Sequence, residues 1–391
     1  MTAIYTLILY SPCFVSFSWG LLLFFNRKEN TRPQNMWMIT MLVLSICAFI
    51  WVMLFGGIDD YKLYYKLDIV DITFTLLLFP LFYLYFRTLT HKDKLTWKQY
   101  IWLLPSVVLG SISAVLYLLL GEEQSADYIR NVIETQENYQ FEAGTLQWML
   151  YFVSVEILYI IFYAQIVAVV IYSTMNVIRY KKGLRNFFSN LEGKSLENNQ
   201  AVLIGLFGVL LIGLTAASVW RISHESYYYL KYVFMAGTSV CIYYMSYFVY
   251  KTRFTAENIL PQEPEQPEEE IDTVDHSNDN YATKLLPLLN KLINEDKIFL
   301  QPDLSLDHIA AQLNSNRTYI SRIINEEFQC SFYDLINYKR IEYAKVLIVK
   351  NPNYIQEQIA RMSGFTHASS FSRVFKKLTG MTFRQWQKNA N

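Results

Sequence analysis

Residues 304–328, LSLDHIAAQLNSNRTYISRIINEEF, and residues 364–386, GFTHASSFSRVFKKLTGMTFRQW, decide how the C-terminal part of this chain folds. In the first stretch Ser305 stands before the apolar-periodic run 306–313, which the pair Asn314–Ser315 interrupts. Asn316 then precedes a second periodic run, about 317–328. Serine and asparagine favour such places because the side-chain oxygen accepts from an unpaired amide of the helix's first turn. In the second stretch Gly364 closes a short helix, about 354–362, with the left-handed conformation a tight helix–helix turn needs. A helix over about 367–378 follows, and Gly380 leads to a last one around 384–388. The halves repeat: Ile309–Ala310 recurs as Ile359–Ala360, and Ile320-Ser-Arg-Ile-Ile324 as Phe371-Ser-Arg-Val-Phe375.

Working outward, Ser331 caps a long helix over 332–349 that ends at Asn351–Pro352, since the residue before proline disfavours helical backbone. Upstream, Leu285, Leu286, Leu289, Leu292 and Ile293 follow i, i+3/i+4 spacing and predict a first helix. Each half is therefore a helix-turn-helix, whose second helix enters a major groove. The connecting helix, roughly 27 Å at 1.5 Å per residue, holds the two readers near one duplex turn apart.

These motifs resemble the C-terminal domain of the AraC/XylS family of bacterial transcription regulators, over about 281–388 and no more of the chain. The resemblance implies an all-α double helix-turn-helix domain that binds duplex DNA and controls promoters, commonly as a homodimer. The sequence departs from the family's usual residues at Phe383 (proline), Ser370 (an aromatic), Ile324 (phenylalanine) and His367 (the serine N-cap). Carried over, Arg317, Thr318, Ser321 and Arg322 of the first recognition helix face base edges, as do Ala368, Ser369 and Arg373 of the second. Arginine suits this role because its fork matches guanine O6 and N7 together. Lys376 and Lys377, with Lys339 and Arg340 on the connecting helix, are expected at phosphates. Ile309, Ala310, Ile320, Ile359, Gly364, Phe365, Phe371 and Phe375 are expected in core or turn.

The remainder is a different material. Only 17% of the 391 residues are charged, and 53% are apolar. Seven stretches, about 4–25, 36–56, 67–87, 100–120, 147–173, 201–220 and 228–250, are long and apolar enough for transmembrane helices, which need about 20 residues each. The first has no basic residue before it and is too long for a cleavable signal peptide. With the N-terminus outside, inside segments hold 14 Lys and Arg (27, 28, 32, 87, 92, 94, 98, 179, 181, 182, 185, 194, 251, 253), against five outside. The expectation is a multi-pass seven-span domain, residues 1–253, in the bacterial inner (cytoplasmic) membrane. Its N-terminus lies outside and the C-terminal domain in the cytoplasm.

Residues 254–280 hold nine acids, three prolines and no basic residue, and read as an acidic, disordered linker. It is either a spacer or a carboxylate-rich restraint on the domain after it. Residues 281–391 carry a net charge of +6, which suits an anionic partner.

Ionisable residues inside a membrane are costly and often functional. Asp68 and Asp71 share one helical face, and Glu156 lies deep in the fifth span. They are wet interfacial groups, buried polar contacts, or part of an outward-facing sensor pocket for an unknown small-molecule or envelope signal. The sequence has no P-loop, GxSxG, HExxH or kinase motif, so no enzyme, catalytic residue or cofactor is expected. His308 and His367 have no metal-spaced partner, and Cys13, Cys47, Cys241 and Cys330 read as small apolar groups. The reading is a membrane-embedded one-component transcription regulator. The alternative is a transporter- or channel-like protein with an accessory DNA-binding tail.

Overall fold

The computed structural model describes residues 2–55, 60–91, 93, 95–134, 141–191, 197–222, 224–252 and 279–390. The expected linker at 254–280 lies outside the described residues except for its last two. The chain forms two compact units, one of Met1–Val177 with Leu196–Pro261, the other of Ile178–Ser195 with Gln262–Asn391. Among the described residues the structure is helical apart from one isolated antiparallel bridge, Phe188 with Ser305.

The first unit contains α1 (Thr2–Phe25), α2 (Arg32–Phe55), α3 (Tyr61–Thr90), a short α4 (Trp97–Tyr100), α5 (Leu104–Glu134), α6 (Leu146–Tyr151), α7 (Leu158–Phe187, whose last turns belong to the second unit), α8 (Glu197–Ile222) and α9 (His224–Lys251). Neighbours pack in the order α8, α9, α1, α2, α3, α5. Trp37 is the buried pivot of this packing. Its ring meets Phe82 and Tyr85 edge-on, and its Nε1 donates to Ser246 Oγ at 3.0 Å. Gln34 Nε2 donates to the carbonyls of Val249, Tyr250 and Thr252 at the end of α9. Gly110 lets α5 approach α3, since a Cβ there would overlap Thr73.

Six described stretches are long and apolar enough to cross a membrane: Ile4–Phe25, Arg32–Met53, Tyr61–Thr90, Trp97–Val132, Leu146–Phe187 and Leu230–Lys251. They coincide with six of the expected spans. The seventh, 201–220, falls on α8, whose described apolar stretch is Gln200–Ala216. Large apolar side chains such as Leu7, Phe25, Leu118 and Leu211 point outward from this unit.

The second unit contains α10 (Asp279–Asn294), a 3₁₀ turn at Ile298–Leu300, α11 (Leu306–Gln312), α12 (Arg317–Glu327), α13 (Phe332–Lys350), α14 (Gln356–Met362), α15 (Ala368–Thr379) and α16 (Phe383–Ala390). α13 joins two small cores. Phe332, Leu335 and Ile336 pack with Leu289, Phe299, Ile309, Ile320 and Ile324. Ile341, Ala344 and Ile348 pack with Ile359, Phe365, Phe371, Phe375 and Phe383. The expected core residues are all buried, and Ile324 and Phe383, two departures from the usual family residues, fill core positions as well.

Candidate nucleic-acid interface

Local chemistry sets both helix-turn-helix units. Ser305 Oγ accepts from the His308 amide while His308 Nδ1 accepts from the Ser305 amide, a reciprocal cap that occupies His308. Asn316 Oδ1 accepts from the Thr318 amide at 2.9 Å and starts α12. The turn between α11 and α12 runs through Asn314 in the left-handed conformation, φ 46°. In the second unit Gly364 takes that place with φ 86°, and any Cβ would lie 2.6 Å from the Phe299 carbonyl oxygen. His367 occupies the N-cap of α15 without a side-chain cap. Its place in the family pattern belongs to serine, and the extended φ of −133° supplies the geometry without the hydroxyl.

On α12 Ile320, Ile323 and Ile324 are buried, leaving Thr318, Tyr319, Arg322 and Asn325 exposed and Arg317 and Ser321 half-buried. On α15 Phe371, Val374 and Phe375 are buried, leaving Ser369, Arg373, Lys376 and Lys377 exposed and Ala368 half-buried. The residues expected to face DNA thus share the solvent side of each recognition helix. Tyr319, 40% exposed in the first turn of α12, was not among them. Its only signal is an aromatic among polar neighbours.

The two faces differ electrically. Arg322 Nε pairs with Glu326 at 2.8 Å, and Arg317 lies 3.8 Å from Asp307 with its guanidinium over the Phe187 ring. Asn325 Nδ2 reaches Ser321 Oγ at 3.5 Å. α15 carries Arg373, Lys376 and Lys377 with no acid of its own, and Lys377 lies 3.7 Å from Asp334 of α13. A row of cations on a helix without acids of its own favours phosphate, and arginines paired within their own helix-turn-helix must first exchange a carboxylate for it.

Lys339 donates to Asn294 Oδ1 at 2.8 Å. Arg340 is 1% exposed and reaches no phosphate, contrary to expectation. Its Nε donates to the Phe299 carbonyl at 2.7 Å and its Nη2 to the Gln301 carbonyl at 2.9 Å, with the guanidinium over the Phe365 ring. Burial pushes its pKa down to about 10, so it stays charged at neutral pH. The reason for the misreading is angular: adjacent helix residues point about 100° apart, so a basic pair in sequence is not a basic patch in space.

The membrane-unit carboxylates are held separately. Asp68 accepts from the Tyr117 hydroxyl at 2.6 Å, and Asp71 from Trp51 Nε1 at 3.0 Å and Thr75 Oγ1 at 3.1 Å. Glu156 is exposed in a π-helical turn, Phe152–Ile157. The hollow lined by Val15, Ser239, Val240, Tyr243, Tyr244 and Tyr247 includes none of the three. No group of three metal-ligating side chains occurs among the described residues. Cys47 is buried, and Cys13, Cys241 and Cys330 are half-buried free thiols.

Two units of this geometry on one connecting helix define a double helix-turn-helix domain. Residues 309–389 match the family described as helix-turn-helix domain. The C-terminal domain is an AraC-type helix-turn-helix domain. The chain is similar to an HTH-type transcriptional regulator of Staphylococcus aureus (strain COL), 28% identical over 117 residues, 28% of this chain and 16% of that protein. It is also similar to the HTH-type transcriptional regulator YtdP of Bacillus subtilis (strain 168), 30% identical over 92 residues, 23% of this chain and 12% of that protein. The chain thus spans under a fifth of the length of these relatives. No solved structure matches it at a significant level.

Proposed function

We propose that the chain is a membrane-embedded one-component transcription regulator. Its C-terminal domain binds specific duplex DNA through α12 and α15, gated by a signal at a seven-span domain in the bacterial inner membrane. The observation that carries the reading is the pairing of two recognition helices, each apolar inward and polar outward, with six long apolar helices in the same chain. The names of the relatives support transcription control, and the outward exposure of large Leu, Ile and Phe side chains supports a lipid surround. The excess of Lys and Arg in alternate loops supports an outside N-terminus and a cytoplasmic DNA reader.

Arg317, Thr318, Ser321, Arg322, Ala368, Ser369 and Arg373 are assigned to base edges, and Lys376 and Lys377 to phosphates. Asp68 and Asp71, with Glu156, are the candidate sensor groups, and a homodimer, as the family resemblance implies, is the proposed assembly. No catalytic step, metal or cofactor is assigned. Mapping chromosomal occupancy of the tagged full-length protein, with membrane fractionation of the same cells, tests the reading. Discrete occupied sites together with a membrane-bound protein are expected. A C-terminal tag reachable from outside intact cells overturns it.

A further inference from the structure

Residues 185–190, Arg-Asn-Phe-Phe-Ser-Asn, leave the end of α7 and lie within the same compact unit as the helix-turn-helix domain. Ser189 is 1% exposed, and its three polar groups all have partners there. Its amide and Oγ both donate to the Leu304 carbonyl, at 3.1 and 2.6 Å, and its carbonyl accepts from the buried Asn337 Nδ2 at 2.9 Å. Arg340 Nη2 adds a contact to Ser189 Oγ at 3.3 Å. Phe188 forms the antiparallel bridge with Ser305, and Phe187 packs on the first core beneath Arg317.

The flanks hold the same segment to the remaining parts. Arg185 Nη2 meets Asp334 Oδ1 at 2.6 Å with its guanidinium over Tyr333. Asn190 Nδ2 reaches both Asp303 Oδ1 at 2.8 Å and Thr366 Oγ1 at 3.2 Å. The segment therefore touches the entrance of the first helix-turn-helix, the connecting helix, and the turn of the second. A buried serine with every polar group satisfied by one partner surface is a seated contact, since the same groups left unpaired there would be costly.

We propose that residues 185–190 are a strap through which the membrane helix α7 acts on the DNA reader, its seating holding the two recognition helices at one mutual spacing. The inference rests on the DNA-reading role proposed above. It gives the signal a route separate from the acidic linker, because the chain enters the DNA-reading unit at 178, leaves it after 195 and returns at 262. A bivalent reader binds both grooves well only while its halves keep the spacing of the duplex; loosening them lowers the effective concentration of the second half.

The test uses the full-length chain in lipid nanodiscs. Duplexes are enriched from a randomised pool by the unaltered protein, and each is then trimmed to a single half. In the double variant Arg185→Ala, Asn190→Ala, amide exchange at Ser189 is expected to accelerate. Affinity for the full duplex is expected to fall about tenfold or more, while affinity for the trimmed duplex stays within about twofold. Faster exchange with unchanged affinity overturns the proposal, as does an equal loss on both duplexes. Tighter binding by the variant overturns it too, since the strap is then a competitor of DNA.

A second measurement guards against a variant that misfolds. With the four native cysteines replaced by serine, Phe188→Cys and Ser305→Cys are paired across the bridge, at a separation suited to a disulfide. The oxidised, locked strap is expected to bind the full duplex as tightly as the reduced form; loss of binding on oxidation overturns the proposal. If the unaltered chain enriches no duplex at all, the DNA-reading role itself falls and the strap's role with it, a result distinct from every other arm.

Discussion

Arg340 donates from Nε to the main-chain oxygen of Phe299 across 2.7 Å, although the two residues belong to different helical elements and lie 41 positions apart. The contact joins the long connecting helix to the 3₁₀ turn that also receives Gly364. Replacing Arg340 by Met keeps the stem and removes the fork, leaving the Phe299 and Gln301 carbonyls without this donor. A buried acceptor left unmade costs about 1–3 kcal/mol, so the variant is expected to lose on the order of 3 kcal/mol. Amide exchange across α13 in the full-length protein measures it. Exchange as slow as in the unaltered chain refutes the structural role assigned to this arginine.

Two glycines of like backbone should respond unequally to alanine. Gly364 and Gly380 both have positive φ, 86° and 75°, but only at Gly364 does an added Cβ meet main-chain atoms, Phe299 O at 2.6 Å and Leu300 Cα at 2.9 Å. At Gly380 the space is open. Gly380→Ala is expected to cost about 1–2 kcal/mol, the left-handed penalty alone. Gly364→Ala adds a backbone displacement and is expected to exceed it by about 2 kcal/mol. Thermal unfolding of both variants orders them; equal losses remove the argument from close approach.

Much of this domain was legible in the sequence because its determinants are local. Ser305, Asn316, Ser331, Gly364 and Gly380 each act on residues within one turn, and their helices fall within a residue or two of expectation. What the sequence did not disclose is long-range. Nothing in the string around Ser189 marks it as a partner of Leu304, 115 positions on, and nothing in Lys339–Arg340 distinguishes the half-buried side chain from the fully buried one. The carboxylates of Asp307 and Glu326, which pair with Arg317 and Arg322, were visible as letters but not as neighbours. Asp71 likewise finds Trp51 on the preceding helix, a contact that hydropathy cannot report.

Cys330 offers a probe of the charge around Asp334. Partial burial, followed by the Asp334 carboxylate, raises the Cys330 thiol above the ordinary cysteine value. The reactive thiolate is therefore scarcer at pH 8 than in a free cysteine, and alkylation is expected to be slow. Asp334→Asn removes the negative neighbour while Arg185 remains nearby, so the thiolate becomes more accessible and labelling accelerates. In a chain whose other cysteines are serine, mass spectrometry follows the rate. A slower reaction in the variant contradicts the assigned electrostatics.

Asp68 and Asp71 are expected to matter to the signal and not to DNA binding itself. Asn at both positions keeps a polar side chain near Tyr117, Trp51 and Thr75 while removing charge. Chromosomal occupancy in the double variant should remain but stop varying between growth conditions that change it in the unaltered strain. Occupancy that still varies normally removes these aspartates from the sensor role.

The electrical contrast between the recognition helices predicts that truncating the cations of α15 and truncating the acid of α12 have opposite effects. Arg373→Ala, on α15, which has no acid of its own, is expected to cost about 1–3 kcal/mol and to relax base choice at one position. Lys376→Ala should weaken all sequences alike and reduce the salt slope by about one. On α12 the relevant group is the acid: Glu326 occupies Arg322 at 2.8 Å, so DNA must displace it or accept a carboxylate near its phosphates. Glu326→Ala is therefore expected to tighten binding to every duplex several-fold at low salt, the gain shrinking as salt screens the lost charge. Fluorescence anisotropy titrations of the nanodisc-embedded full chain, at two or more salt concentrations, read all three variants. If Glu326→Ala weakens binding instead, the pair is part of the DNA-contacting geometry, and Arg322 is oriented by its carboxylate partner.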